Sequence, residues 1–334
     1  MKLKYFVGVD ISKLTLDLTL LQGNTFVIHR CIKNESHAIK AFIKELMANK
    51  GLTFGNTVFG MESTGIYSAK LVTFLHQKKA KVVLENPLHL KNSFGLIRGK
   101  TDKDDSERIA SYLYKSRNEL RFFAARRDII GHLSSLMTLR RKLIALRVSI
   151  VNTLKENAGF VKKGLILESN RLCSGSLRAL VTDIKNINAS IDATWKSDES
   201  LSRLMKILLS IPCIGPVIAL HAIIATNEFR SITTAKRFAS YCGVAPFRHR
   251  SGTTISKRAK VSQTANKRVK ALLHTAAILS IRFVPDLRGY YKRKVEIEGK
   301  HKMLVINAIR FKIISRMFTC IAQDRFYQTH YQVK

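Results

Sequence analysis

Three strand-length segments follow one another at the start of the chain, and this succession limits the fold more than any other feature. Lys4 to Val9 and Thr15 to Leu21 alternate or run apolar around a polar turn at Asp10 to Lys13, and Thr25 to Ile32 is a third segment of the same kind. Ser36 to Met47 then carries helical spacing through Ile39, Phe42, Ile43 and Leu46, with Ser36 a candidate N-cap. Thr57 to Met61 predicts a short strand, Ile66 to Gln77 a helix and Lys81 to Leu84 another strand. Asn86-Pro87 punctuates, and Asp105 to Ser116 returns to helix.

Three adjacent strands followed by helix, strand, helix, strand and helix form an α/β layout of ribonuclease-H type. From about Asp128 the texture changes. Leu133, Leu136, Leu139, Leu143, Leu146, Ile150 and Leu154 make one long apolar stripe. After a Gly/Ser-containing break, Leu177, Leu180, Ile184, Ile187 and Ile191 keep three-four spacing. This predicts an antiparallel helical hairpin or a dimerising coiled coil, with ordinary bundle helices an equal alternative. From Leu204 the chain reads as helical and basic. The expected organisation is therefore α/β plus all-α, divided at 1–125, 126–203 and 204–334.

Charge narrows the partner. Of 334 residues, 58 are Lys or Arg and 23 Asp or Glu, a formal net charge of +35. The twelve Lys or Arg between Glu228 and Asp286 share that window with no acid at all. A surface built for solubility mixes signs, whereas this distribution is the footprint of a polyanion, DNA or RNA. No apolar run is long enough to span a bilayer and none resembles an export signal, so a cytoplasmic, nucleoid-associated bacterial protein without membrane partners is expected. The five cysteines are scattered and lack a CxxC pair, which argues for reduced thiols and against structural zinc.

The stretch GLIRGKTDKDD, from Gly95 to Asp105, combines a glycine loop with clustered acids. A Walker A loop needs four residues between its first glycine and Gly-Lys-Thr, but Gly95 and Gly99 enclose only three. Nucleotide hydrolysis is rejected, leaving Arg98 and Lys100 as candidate backbone-phosphate contacts. The carboxylates are more informative. Asp10 ends the first strand segment, Glu62 follows the strand VFGM, and Asp102 and Asp105 stand three apart at a helix start, on one face. Taken singly, Asp10 reads as a turn residue and the other aspartates as helix caps. Together, in this order and in so basic a chain, they favour a two-metal phosphoryl-transfer site, whose hard oxygen ligands select Mg²⁺ or Mn²⁺. Asp104 and Glu107 read as outer-face residues.

Two further segments lie in the basic region. SIPCIGPVIA resembles the turn of a helix-hairpin-helix, with Gly215 at a helix start where backbone N–H groups can meet a phosphate; a plain packing corner competes with that reading. In RHRSGTT, Ser251 follows Arg248, His249 and Arg250 and precedes Gly252, a setting that suits a nucleophile toward a phosphodiester or only a phosphate-contacting turn. Arg248, Arg250, Lys257, Arg258, Lys260, Lys267 and Arg268 complete the candidate nucleic-acid contacts.

FVGVDISKLTLDL, GMESTGIY, LENPLHLKNS, GKTDKDDSERIA, SIPCIGPVIA, FASYCGVAP and RSGTT, in this order and spacing, resemble the DEDD-type insertion-sequence transposases and the related Piv DNA invertases. The likeness runs from about residue 4 to 325. It implies a RuvC-like, ribonuclease-H fold N-terminal domain, a coiled-coil middle and a C-terminal transposase domain. It further implies a DEDD tetrad of Asp10, Glu62, Asp102 and Asp105 holding Mg²⁺ and a nucleophilic Ser251 that forms a phosphoserine bond with DNA. For some members it also implies a structured bridge RNA and a tetrameric synapse. The chain departs from the pattern at Asp104, where a small or apolar residue is usual, and at Ser262 to Asn266. ISKLTLDL lies near the invertase branch. A junction-resolving nuclease that uses water and a non-catalytic nucleic-acid-binding protein are the rival expectations.

Overall fold

In the computed structural model of the chain, β1 (Tyr5–Ile11), β2 (Thr15–Gln22) and β3 (Thr25–Lys33) pair as an antiparallel meander. The residues described are 3–49, 51–63, 65–94, 101–157, 160–251, 255–262 and 264–329, and the side chains of 248–251 and 255–259 are outside that description. α1 (Ser36–Ala48) leads to β4 (Thr57–Glu62), which lies parallel to β1. A 3-10 turn (Gly65–Ser68) and α2 (Ala69–Gln77) then lead to β5 (Lys81–Glu85), parallel to β4. Parallel neighbours require such helical crossovers. The resulting order, β3-β2-β1-β4-β5, is the ribonuclease-H arrangement.

One face of this sheet is the apolar one that alternation demands. Val7, Val9, Leu16, Leu18, Leu20 and Phe59 pack with Ile39, Phe42, Ile43 and Leu46 of α1 and Leu71, Val72 and Leu75 of α2. Burying each such side chain is worth about 1.5–3 kcal/mol, so this face dominates the stability of the α/β unit. Ser36 is not the cap expected: it is the first residue of α1, the cap position is Glu35, and no side chain accepts there. Asn86-Pro87 opens a helix as well as punctuating. Asn86 accepts from the Leu88 N–H at 2.9 Å and Pro87 begins α3 (Pro87–Ser93). α4 (Asp102–Lys115) starts three residues earlier than expected because Thr101 Oγ1 accepts from the Asp104 N–H at 3.1 Å.

Chain contacts divide the molecule into two units, Met1–Ala125 and Arg126–Lys334. In the second, α5 (Asp128–Asn157) and α6 (Lys163–Lys196) form a hairpin, tied by an Arg140 Nε–Asn188 Oδ1 hydrogen bond of 2.6 Å. The Gly/Ser-containing break expected before Leu177 is partly absorbed into α6, which already begins at Lys163 and runs through Ser174, Gly175 and Ser176. Leu139 and Leu146, assigned to the stripe, face outward at 47% and 55% exposure. A 3.6-residue period carries them off the face that keeps Leu136, Leu143 and Ile150 half-buried.

The base of the hairpin joins the C-terminal core: Ile130, Leu133, Met137 and Ile191 are buried in the same cluster as residues beyond 200. That core is built by α7 (Glu199–Leu209), α8 (Pro216–Thr226), α9 (Ala235–Tyr241), α10 (Lys267–Phe283), α11 (Pro285–Lys292) and α12 (Lys302–Ala322). Arg127 ties its layers together, donating to Asp198 at 2.6 Å, to Ser200 at 2.9 Å and to buried Glu228 at 3.0 Å. Glu228 sits in a left-handed corner, Asn227 to Phe229, whose three residues have φ of 49°, 59° and 62°; the charge-assisted pairing holds this strained turn. One segment departs from the all-helical expectation. β6 (Pro246–Ser251) and β7 (Ile255–Val261) form a two-stranded antiparallel hairpin inside the acid-free window.

Candidate active site

The strand register assembles carboxylates that lie far apart in sequence. Asp17 pairs with Asp10 and with Cys31, Glu62 pairs with Glu85, and Glu62 stands one residue past the Val9–Met61 pair. Directly opposed residues project to the same face. Cys31, Asp17, Asp10, Glu62 and Glu85 therefore form a row across all five strands, on the face opposite α1 and α2.

α4 covers that same face, and two glycines let it come close. A Cβ on Gly8 would stand 2.1 Å from the Ser106 carbonyl oxygen and 2.3 Å from the Ala110 nitrogen. A Cβ on Gly60 would meet the Leu113 side chain at 2.6 Å. Ser106 is fully buried and shares a 2.7 Å hydroxyl–hydroxyl bond with Thr19, while Ala110 and Leu113 pack on Phe6, Val58 and Val83. The backbone of α4 thus rests on β1, and its first turn brings Asp102 and Asp105 to the carboxylate row. Acids in a first turn are also favoured by the helix dipole.

The electrostatics record the convergence. Burial, then the charges of Asp102, Asp105 and Glu62, push the Asp10 carboxyl up to about 6, against a hydrogen bond from the Ile11 backbone. The other three expected tetrad members therefore all act on Asp10. Arg108 Nη1 donates to Asp105 at 2.9 Å. Asp104 turns elsewhere, lining a cavity of about 390 Å³ with Glu107, Arg108, Tyr112 and Phe26. Among the described residues, no group of three or more His, Cys, Asp or Glu is gathered tightly enough to hold a metal ion.

Sequence reading missed two carboxylates of the row. Asp17 is buried and lies 3.1 Å from His29 Nε2. Its signal was an acid between two threonines on the polar alternation of the strand TLDLTL. Glu85 accepts from Tyr112 Oη at 3.1 Å and pairs with His89 at 3.0 Å. Burial would raise its pKa, but these bonds and one from the Asn86 N–H outweigh it and hold the carboxyl below its usual value. Cys31 is pushed up by burial, by its hydrogen bond to Asp17 and by the charges of Asp17 and Asp102.

In the second unit, Ser251 is the last residue of β6, paired in register with Ile255. Arg248 and Arg250 precede it on the same strand, and Lys257, Arg258 and Lys260 lie on β7. Gly252 to Thr254 lie outside the described residues, as do Arg98 and Lys100. Lys267 and Arg268 open α10 after the Asn266 cap. Gly215 is the N-cap of α8, in extended conformation with open space where a Cβ would stand, so neither backbone strain nor crowding requires glycine there. The five cysteines are all free. No described helix is long and apolar enough to cross a membrane.

Comparison with known proteins gives a consistent picture. Residues 7–158 match a DEDD-type family model described as Transposase, and residues 205–292 one described as Transposase IS116/IS110/IS902 family. The pilin gene-inverting protein of Moraxella bovis is 27% identical over 96% of this chain and 97% of its own length. That of Moraxella lacunata is 28% identical over the same shares. A solved structure of T. thermophilus RuvC in complex with a Holliday junction substrate matches 36% of this chain and 99% of its own, at 11% identity and a TM-score of 0.29. The expected resemblance thus holds across both units, and the chain belongs to the IS116/IS110/IS902 family of transposases.

Proposed function

We propose that this chain is a DNA recombinase that cuts and rejoins DNA through a serine–phosphodiester intermediate, with a divalent cation held by Asp10, Glu62, Asp102 and Asp105. The observation that carries the reading is the row of carboxylates beneath the acidic first turn of α4. Acids are brought together at a cost in mutual repulsion, and a cation offsets that cost. The donors are all hard carboxylate oxygens, which suit Mg²⁺ or Mn²⁺. Such a cation, when bound, supplies positive charge to the scissile phosphate and the departing oxygen.

Ser251 supplies the nucleophile. Its Oγ forms a bond to phosphorus as the bond from phosphorus to the 3′ oxygen breaks; the serine proton leaves and the 3′ oxygen departs as a hydroxyl. One phosphodiester replaces another, so the energy is retained and a 3′-hydroxyl on the exchanged strand can reverse the step. Arg248 and Arg250, neighbours of Ser251 on β6, would balance the charge that develops. Lys257, Arg258, Lys260, Lys267 and Arg268, with Arg98, Lys100 and the α8 start at Gly215, would track the nucleic-acid backbone.

The test is to incubate the chain with cognate DNA and Mg²⁺, denature, and look for protein covalently joined to DNA. Cutting without an adduct would transfer the reading to a water-using nuclease, and tight binding with no cutting to a binding protein. Asp102→Ala is expected to lower cutting by at least about a hundredfold, because it removes one cation ligand; cutting at the normal rate would sink the tetrad. Site-specific inversion is the second reading, favoured by pilin gene-inverting relatives that align along 96% of the chain. A bridge RNA would copurify as one discrete species; heterogeneous RNA, or none, would remove guidance from the reading.

The hairpin also points to self-association. Leu139 and Leu146 on α5, and Leu165 and Leu172 on α6, are exposed at seven-residue spacing. Such spacing is a coiled-coil seam awaiting a partner, here a second copy. Leu139→Glu with Leu146→Glu is expected to convert the oligomer to a monomer in light scattering while leaving the melting temperature within a few degrees. An unchanged mass would rule the seam out.

A further inference from the structure

The second unit contains a large cavity, and apart from Lys260 and Lys267 the proposed function gives its lining no role. Its volume is about 1190 Å³, above the range of about 300–1,000 Å³ typical of small-molecule sites. α9, the β6–β7 hairpin, α10 and α12 enclose it. Lys236, Lys260, Lys267, Lys270 and Arg310 line it, and no Asp or Glu does so among the described residues.

Arg310 is the telling residue. It is 5% exposed, and its partners are Asn307 Oδ1 at 3.2 Å and His274 Nδ1 at 2.5 Å. Its Nε has no partner, and no carboxylate is among its hydrogen-bond partners in the described residues. Buried charges are ordinarily paired, because an uncompensated one forfeits its hydration without return. Lys270 feels the consequence: burial, then the Arg310 charge, lowers its pKa. The cavity thus holds positive charge in place with no counter-ion of its own.

Its remaining walls are apolar. Phe247 and Phe311 line it while 47% and 36% exposed, and Met303 and Leu304 do so at 50% and 53%. Fixed cations beside open aromatic faces match a nucleotide with an accessible base, its phosphate on the former and its base on the latter. A duplex hides its base faces in the stack and would leave these walls unused. Phe247 lies on β6, the strand that ends at Ser251.

We infer that this cavity receives an unpaired stretch of DNA, the strand opened during exchange, by stacking bases on Phe247 and Phe311 and seating phosphates on Lys270 and Arg310. The inference rests on the DNA recombinase reading for its choice of DNA, but its test does not depend on that chemistry. Fluorescence anisotropy would be measured in EDTA, with the Ser251→Ala chain, for labelled single-stranded DNA, duplex DNA of the same sequence and single-stranded RNA.

Phe247→Ala and Phe311→Ala should each weaken single-stranded DNA binding by at least about fivefold while leaving duplex binding unchanged. Lys270→Gln should reduce the salt dependence of single-strand binding by about one contact. A 5-iododeoxyuridine strand should photocrosslink to Phe247 or Phe311. Equal losses on duplex, or none on single strands, would overturn the assignment. Tighter binding of RNA with the same losses would give the cavity to RNA. A change of mass in light scattering without a change in DNA binding would give it to a second copy of the chain. Loss of the adduct in active protein with these results intact would remove the serine chemistry alone, and an intact adduct without them would remove the cavity alone.

Discussion

Replacing Ser251 with alanine is expected to abolish the covalent protein–DNA adduct and to lower strand exchange by on the order of a thousandfold or more, as loss of a nucleophile does. DNA affinity should change by about twofold or less, because the substitution removes one hydroxyl and leaves the charges that bind the phosphate backbone in place. Ser251 closes β6 opposite Ile255, at the end of a two-stranded hairpin. Alanine preserves the backbone ladder and removes only the hydroxyl. Electrophoresis after denaturation reads the adduct, and anisotropy reads affinity. An adduct that persists in Ser251→Ala would move the nucleophile to another side chain, whereas cutting that continues without one would hand the attack to water.

Gly8→Ala is expected to damage both the fold and the chemistry of the first unit. Its methyl group would stand 2.1 Å from one backbone atom of α4 and 2.3 Å from another, and a backbone contact cannot be relieved by a rotamer change. Overpacking of this kind costs about 1–3 kcal/mol. The larger effect should be on cutting. Lifting α4 displaces Asp102 and Asp105 from Asp10, and a 1 Å misplacement can cost about a hundredfold in rate. Gly175→Ala is the control: it lies inside α6 with open space around its Cα, and helix propensity should make it up to about 1 kcal/mol more stable. Thermal melts and a cleavage time course measure both variants. A Gly8→Ala chain that melts and cuts like the parent would show that α4 is not held by this contact.

Local signals were enough for much of the first unit. The strands at Tyr5, Thr15 and Thr25 begin within a residue of the expected positions, because alternation and turn residues act over a few neighbours. α1 follows from Ile39, Phe42, Ile43 and Leu46 at helical spacing, all four buried. Asp10, Glu62, Asp102 and Asp105 could be singled out in the sequence as acids at strand ends and a helix start, and the structure brings the charges of the other three to bear on Asp10. Errors arose where a nearby side chain decided the outcome. Thr101 moved the start of α4, and Asn86 began an unexpected helix.

The sequence by itself determined the order of elements in the first unit, the clustering of acids and of basic residues along the chain, and the family to which it belongs. Each depends on residue type and short-range spacing, which a linear string carries in full. Only the tertiary structure decided that Asp17 and Glu85 share a row with Asp10 and Glu62, since register between strands is a long-range pairing. It alone showed why Gly8 and Gly60 must be glycine, because the crowding comes from a helix about a hundred and about fifty residues away, respectively. It also placed Arg310, which reads in sequence as one more cation of a basic helix, in a buried position without a carboxylate partner among the described residues. That difference is a matter of packing and solvation, which residue identity does not encode.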